Sequence, residues 1–212
     1  DSGIEWIGEI PAHWEVKKIK YLGNIISGVA IPSELFTTNP DSAVRVIKIT
    51  NIQTMYMDWK DESYIDKNYF FKYKQFKVQK GDLVFALTRP IISTGIKAAI
   101  VKESDTYLLN QRNAVFKPFN GENISWFYYI FLNYKFIKKF ESLIDTTGQQ
   151  PNISPIDVGN IYISFPPDKE KDQIVHFLNE KIERVSKLVL SIKSQIQTLK
   201  EYKTTLINEA VT

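Results

Sequence analysis

Residues 168–211 contain no glycine or proline and read DKEKDQIVHFLNEKIERVSKLVLSIKSQIQTLKEYKTTLINEAV. Seam positions recur in this stretch at alternating steps of three and four residues, and all but Lys203 are apolar: Val175, Leu178, Ile182, Val185, Val189, Ile192, Ile196, Leu199, Lys203, Leu206 and Ala210. This spacing, kept over about five heptads, is typical of the a and d positions of a coiled coil. The pattern predicts one helix, roughly 60 Å long at about 1.5 Å per residue.

The start of this helix is marked in the sequence as clearly as its periodicity. Pro166 and Pro167 end the preceding segment, and Asp168 is placed to cap the helix. A single seam of this length needs a partner helix, so we expect homodimerisation through Leu178, Ile182, Val185, Val189, Ile192, Ile196, Leu199 and Leu206. The alternative is that the helix packs on its own domain.

The composition excludes several classes of protein. The chain has 212 residues, of which 43% are hydrophobic and 13% aromatic, which is enough to build a core. It has no cysteine, so disulfide scaffolds and thiolate–metal sites are excluded. The net charge of +3 makes binding to nucleic acid dependent on a local patch. Apolar runs are too short for a membrane span and no signal peptide is evident, so we predict a cytoplasmic protein without a membrane partner.

The residues before the long helix show short strand and helix patterns in alternation. Period-2 or continuous apolar runs predict strands at Trp14–Ile19, Ala43–Ile52, Leu83–Leu87, Gly95–Lys102, Asn113–Lys117 and Val158–Phe165. Helices are predicted over Asp66–Gln75, capped by Asp66, and from Ser125 to Leu143. The predicted fold class is α+β: a mixed, strand-rich globular domain over residues 1–165, followed by one long C-terminal coiled-coil helix over 166–212.

Motifs for cofactors and catalysis are scarce. The nine glycines never form a G-x-G arrangement, which argues against a dinucleotide fingerprint or a phosphate-binding loop. His13 and His176 are the two histidines and lie far apart in sequence, so a histidine metal site or a Ser-His triad is not indicated. We therefore predict no cofactor, no metal ligand and no catalytic residue.

One pattern keeps an enzymatic alternative open. Pro40-Asp41 followed by Asp58-Trp59-Lys60 matches the loose Pro-Asp…Asp-x-Lys pattern of metal-dependent nucleases. Two carboxylates hold Mg²⁺ in such sites while the lysine stabilises the attacking water. That chemistry normally requires these residues on adjacent strands. Here Pro40-Asp41 lies in a predicted loop, and Asp58-Trp59-Lys60 lies in a predicted turn. The alternative functions are therefore a metal-dependent nuclease with a dimerising helix, and a coiled-coil adaptor without a nucleic-acid role.

Three clusters of amide and guanidinium side chains have no simple core pattern. Asn and Gln read adenine and Arg reads guanine at base edges in the major groove of DNA. The clusters supply these candidate DNA-binding residues: Lys48, Asn51 and Gln53 with Arg89; then Gln111, Arg112 and Asn113; then Thr147, Gln149, Gln150 and Asn152. The alternative for each residue is a solvated loop position or a turn cap.

Five segments, in this order along the whole chain, resemble the specificity (S) subunits of type I restriction–modification systems. They are DSGIEWIGEIP at 1–11 with Trp14, KGDL at 80–83, GQQPNIS at 148–154, IYISFPP at 161–167, and LKEYK at 199–203 with LINEAVT at 206–212. Each segment alone is weak, and their order makes the resemblance specific. The heptad seam over 168–211 fits the same resemblance.

The resemblance implies a target-recognition domain over 1–165 that reads one half of a split sequence in double-stranded DNA. It implies that 166–212 is a spacer and dimerisation helix, with a DNA methyltransferase (modification) subunit and a restriction subunit as further partners. Such subunits carry no catalytic residues themselves, and they usually contain two recognition domains and two spacers. With one of each, this chain is expected to be either a half-subunit or a fragment of a longer subunit.

Overall fold

The computed structural model describes residues 1–41 and 43–211, which divide into two units, Asp1–Asp168 and Lys169–Thr212. The strands are β1 Glu15–Lys18, β2 Gly23–Ser27, β3 Phe36–Thr37, β4 Ala43–Ile47, β5 Tyr64–Asp66, β6 Lys77–Gln79, β7 Leu83–Ala86, β8 Ile91–Ile92, β9 Gly95–Ile96, β10 Ala98–Ile100, β11 Thr106–Leu109, β12 Asn113–Pro118 and β13 Tyr162–Phe165. The helices are α1 Lys67–Lys72, α2 Ile124–Leu132, α3 Tyr134–Glu141, α4 Pro155–Asn160 and α5 Asp168–Val211.

Two sheets organise the first unit. An antiparallel sheet has the strand order β10-β7-β12-β2, and a five-stranded sheet has the order β3-β5-β4-β11-β6. In the second sheet β4 and β11 pair in parallel, while the other pairs are antiparallel. Two small pairs complete the unit: β1 with β13, and β8 with β9. This mixture of short strands and helices confirms the predicted α+β class.

The alternation of side chains along β7 explains how the layers pack. Leu83 and Phe85 belong to one core with the phenylalanines of α2 and α3, whereas Val84 belongs to a second core with residues of β4, β6 and β11. Successive strand residues point to opposite faces, so a continuously apolar strand is buried on both sides. The four-stranded sheet therefore lies between the helices α2 and α3 on one face and the five-stranded sheet on the other.

Several predicted elements have different bounds in the structure. The strand from Ala43 ends at Ile47, where a turn held by Asn51 begins. The helix predicted from Ser125 begins at Ile124 and is interrupted at Asn133, whose side chain caps α3. The strand predicted over Val158–Phe165 is wrong in its first half, because Ser154 caps the short helix α4 and only Tyr162–Phe165 is extended. The cap at Asp66 is confirmed, since its carboxylate accepts a hydrogen bond from the Asn68 amide.

The second unit is the long helix α5, whose predicted extent over 168–211 is confirmed. Its seam residues Val185, Val189, Ile192, Ile196, Leu199 and Leu206 are 42–65% exposed. Apolar side chains at this exposure are costly to leave in water when they form one continuous stripe. Within residues 1–41 and 43–211, no helix is both long enough and apolar enough to cross a membrane.

Candidate nucleic-acid interface

The pairing of β7 with β12 brings the loop that follows β7 and the second polar cluster to one edge of the four-stranded sheet. Ala86 at the end of β7 lies opposite Asn113 at the start of β12. The residues after β7 therefore meet the residues before β12. The carbonyl oxygen of Arg112 accepts hydrogen bonds from the backbone amides of Leu87 and Thr88, at 2.7 and 3.3 Å. Both loops are fixed at their bases by backbone contacts.

A third loop, residues 145–152, is attached to the same edge. Thr88 and Asn152 form an isolated antiparallel bridge, and the Arg89 amide donates to the carbonyl oxygen of Pro151 at 2.8 Å. The hydroxyl of Thr88 also donates to Oδ1 of Asn152, at 3.0 Å. Two backbone hydrogen bonds between Asp145 and Asn152 close the loop at its neck. Its tip, residues 146–149, is exposed.

These three loops border a shallow, open site of about 450 Å³, which we call the loop site; it is lined by Leu87, Thr88, Gln111, Arg112, Gln149, Gln150 and Asn152. Apart from Leu87, every lining residue is polar or cationic. Gln111, Arg112 and Gln149 are exposed and so are available to a ligand. The structure thus brings part of the second predicted cluster and part of the third together at one surface.

Two arginines at this edge have left-handed backbone conformations. The φ angle is 45° at Arg89 and 72° at Arg112. A residue with a side chain pays roughly 1–2 kcal/mol for this conformation. Such strain occurs preferentially at functional sites, where the surrounding structure holds it in place. Here the backbone hydrogen bonds to Pro151, Leu87 and Thr88 supply that support.

Thr147, in the tip of the third loop, has a local role. Its amide and hydroxyl donate hydrogen bonds to Oδ1 of Asp145, at 2.8 and 2.7 Å. These hydrogen bonds hold the pKa of Asp145 below its usual value. Thr147 therefore shapes the loop that presents Gln149 and Gln150, and it does not line the loop site.

The first cluster is bound within the turn that follows β4 and does not line the loop site. Nζ of Lys48 lies 2.6 Å from Oδ1 of Asp61, and this hydrogen bond lowers the pKa of the Asp61 carboxyl. The side-chain amide of Gln53 donates to the carbonyl oxygen of Thr50 at 2.9 Å. Arg89, grouped with this cluster by sequence, lies instead against the third loop.

Two predicted DNA-binding residues are corrected by their burial. Asn51 and Asn113 are fully buried. The Asn51 side chain accepts a hydrogen bond from the Lys48 amide and donates to the carbonyl oxygens of Asp58 and Asp61. The Asn113 side chain donates to the carbonyl oxygen of Asn110 at 3.2 Å. Both residues satisfy backbone groups inside the fold and are inaccessible to DNA.

The nuclease pattern gains no support from the geometry. One carboxylate oxygen of Asp58 accepts a hydrogen bond from the Lys60 amide at 3.1 Å, as in an ordinary turn. In the part of the chain that the structure describes, no group of three or more Asp, Glu, His or Cys side chains could hold a metal ion. Asp41 and Asp58 therefore belong to no such group.

Sequence reasoning missed Thr88 and Lys97 near this surface. Thr88 directly precedes Arg89 at the end of a predicted strand. A polar residue that follows an apolar run at a strand end is a signal for a candidate binding residue. Lys97 stands alone in an apolar strand pattern, which sequence alone would explain as an exposed strand position. In the structure it is 9% exposed. Its side chain reaches the carbonyl oxygen of Ile49, 48 positions earlier in the chain, and a contact over that distance has no local signal in the sequence.

Comparison with known proteins defines the class to which this domain belongs. The family model described as "Type I restriction modification DNA specificity domain" matches residues 11–198. The chain therefore belongs to this family, as the resemblance in the sequence indicated.

Individual relatives are specificity subunits of type I restriction enzymes. The EcoAI specificity subunit of Escherichia coli is 31% identical over 192 residues, which cover 90% of this chain and 32% of that protein. The MjaVIII specificity subunit of Methanocaldococcus jannaschii is 32% identical over 198 residues, covering 92% and 45%. The chain thus spans about a third to just under half of these relatives.

A solved structure supports the fold independently. It comes from a study titled as the structural basis of complex assembly and conformational transition of the type I R-M system. Its chain superposes with a TM-score of 0.64 at 16% identity, over 85% of this chain and 41% of that chain.

Proposed function

We propose that residues 1–165 bind double-stranded DNA and read a short base sequence through the loop site. The observation that carries this proposal is the convergence of Gln111, Arg112, Gln149 and Gln150 on one concave surface, beside Arg89. Amide side chains pair with adenine and guanidinium groups with guanine in the major groove. The loops are held at their bases, so little conformational entropy is lost when they bind.

In this proposal the sequence read is one half of a bipartite target, and the domain performs no chemistry. Membership of the DNA specificity family supports this role. Both curated relatives are named as specificity subunits of type I restriction enzymes, and each is two to three times as long as the matched segment. The chain would act in the cytoplasm, where it meets cellular DNA, a methyltransferase subunit and a restriction subunit.

We propose further that α5 pairs antiparallel with the same helix of a second copy, or with an equivalent helix of a longer subunit. The exposed apolar seam from Val185 to Leu206 supports this pairing. Antiparallel pairing would hold two recognition domains at opposite ends of the rod. Rod length would then fix the separation of the two half-sites, and the rod would serve as a platform for the other subunits.

The test of sequence reading uses the chain together with its methyltransferase partner, with methylated sites identified by sequencing of cellular DNA. We expect Gln150→Ala or Gln111→Ala to relax the methylated sequence at one position, at a cost of about 1–3 kcal/mol in discrimination. Gln75→Ala is the matched control, because Gln75 is exposed and does not line the loop site. Equal weakening on every sequence would make the residue a phosphate contact. A wild-type chain without sequence preference would refute the proposal.

The test of the rod changes its length and its seam. Deleting one heptad shortens the helix by about 10 Å, so the gap between half-sites is expected to lose roughly 3 base pairs. An unchanged gap would refute the ruler role. For the dimer, Ile192→Lys places a charge in the seam, and Ser191→Lys places the same charge beside it. Light scattering should report loss of the dimer for the first variant alone.

A further inference from the structure

A second cavity lies on the other side of the chain segments that wall the loop site. Thr88, Gln150 and Asn152 line the loop site, whereas their neighbours Arg89 and Pro151 line this second cavity. Its volume is about 650 Å³, within the range of small-ligand sites. We call it the Lys97 pocket, after the cation in its wall. A long ligand bound in the loop site would therefore extend close to the Lys97 pocket.

Lys97 is unusual because it is a buried cation with one hydrogen-bond partner. It is 9% exposed, and Nζ donates to the carbonyl oxygen of Ile49. Within residues 1–41 and 43–211, no carboxylate lies within ion-pair distance of this ammonium group. An ammonium group has three N–H donors, and the hydrogen bond to Ile49 uses one of them. Burial lowers the pKa of Lys97, because the charged form is poorly solvated there.

The remaining wall of the pocket is largely apolar. Ile91, Ile92 and Ile144 line it with Pro90 and Pro151. Glu141 also lines the pocket, but its carboxylate is bound to Nζ of Lys138 at 2.8 Å. A ligand that suits this wall carries a negative charge for Lys97 and Arg89 and an apolar face for the isoleucines. The deoxyribose–phosphate unit of a DNA strand has both.

We propose that the Lys97 pocket binds a deoxyribose–phosphate unit of the DNA strand next to the bases read by the loop site. This inference rests on the proposed function. Lys97 and Arg89 contact the phosphate, and the sugar packs on Ile91 and Ile144. Phosphate contacts fix the register of a protein on DNA without carrying sequence information. The pocket thus sets the position from which Gln111, Gln149 and their neighbours reach the base edges.

The test measures fluorescence anisotropy of the full chain with two duplexes, one carrying its methylated site and one scrambled, over a series of salt concentrations. We expect Lys97→Met to weaken binding to both duplexes by roughly tenfold, since a charged hydrogen bond is lost. Their affinity ratio should stay unchanged. The slope of log K against log salt should fall by about 0.9, the value for one phosphate contact. Thr146→Glu keeps Lys97 and adds a carboxylate to the exposed rim, so it should also weaken both complexes.

Controls separate this inference from a folding defect and from the proposed function. Ser104→Glu adds the same charge at an exposed residue that lines neither cavity and should bind like the wild type. Thermal unfolding shows whether Lys97→Met is folded. If Thr146→Glu and folded Lys97→Met keep wild-type affinity and salt slope, the pocket is not a phosphate site, while sequence reading stands. A wild-type affinity ratio of one would instead refute the proposed function.

A small probe distinguishes the nucleotide unit from phosphate alone. Calorimetric titration compares thymidine 3′,5′-diphosphate, thymidine and inorganic phosphate. We expect heat of binding from the diphosphate with the wild type and its loss with Lys97→Met. Equal binding of inorganic phosphate would overturn the role of the apolar wall. Binding of thymidine without phosphate would overturn the role of Lys97.

Discussion

Arg112 allows stability and sequence reading to be changed in opposite directions. Its backbone has a φ of 72°, and its carbonyl oxygen, not its side chain, holds Leu87 and Thr88. Arg112→Gly therefore keeps the loop while removing both the strain and the guanidinium group. Arg112→Ala removes the guanidinium group and keeps the strain. The two variants therefore differ in backbone strain, and both lack the guanidinium group that would contact DNA.

The expected magnitudes follow from these differences. Relief of a left-handed conformation stabilises the folded state by roughly 1–2 kcal/mol. The added conformational freedom of glycine stabilises the unfolded chain by about 0.5–1 kcal/mol and offsets part of this gain. The glycine variant should thus be more stable than the alanine variant by about 1 kcal/mol. Both should lose about 1–3 kcal/mol of discrimination at one base pair, or roughly 5- to 150-fold. A variant at least as stable as the wild type would then read DNA less well.

The assay pairs urea denaturation with binding to duplexes that carry single base-pair changes. Asn120→Gly is the matched control, because Asn120 has a φ of 55° in the turn after β12 and lines neither cavity. It should leave discrimination unchanged. The reasoning is refuted if Arg112→Gly keeps wild-type discrimination, or if its loss of affinity is equal on all duplexes.

Three further predictions concern the frame that carries the loops. Phe131 is 2% exposed among Phe85, Phe136 and Phe140, so Phe131→Ala should lower the free energy of unfolding by about 3–5 kcal/mol, as denaturation would show. Asn51→Ala should cost about 1–3 kcal/mol for each backbone group left unpaired and should not alter sequence preference in duplex binding. Burial raises the pKa of Tyr128 to about 12, so between pH 10 and 12 the folded state keeps a proton that the unfolded state loses. Stability should fall with pH in that window, and Tyr128→Phe should reduce the fall in denaturation curves.

The sequence predicted well those features that depend on local periodicity. The extent of α5 and the cap at Asp66 depend on residues only a few positions apart, and both are confirmed. The break between α2 and α3 was missed because Asn133 lies inside a continuous apolar pattern, where a capping side chain can interrupt a helix without glycine or proline. The helix α4 was missed because valine and isoleucine favour strands when taken alone.

The candidate site depends on contacts between residues that are distant in sequence, and local patterns do not predict such contacts. Polar residues at strand ends were sound candidates, but sequence could not say which of them meet. The antiparallel register of β7 and β12 unites Thr88 with Arg112, and it leaves Asn113 buried one residue further on. Asn51 and Gln111 look alike in sequence, and only the tertiary structure shows that the first serves the fold. Amide residues in turns therefore need a burial test before any functional role is assigned.

The closed neck between Asp145 and Asn152 has a consequence for how such domains can diversify. Its two hydrogen bonds join backbone atoms, so they place no demand on the side chains of the exposed tip at residues 146–149. Surface substitutions away from packed or capped positions usually change stability by less than about 0.5 kcal/mol. Substitutions at Thr146 and Gln149 are therefore expected to cost little stability, whereas Thr147 is constrained by its hydrogen bonds to Asp145. A domain built in this way could change the side chains presented at this tip while its scaffold and its long helix stay as they are.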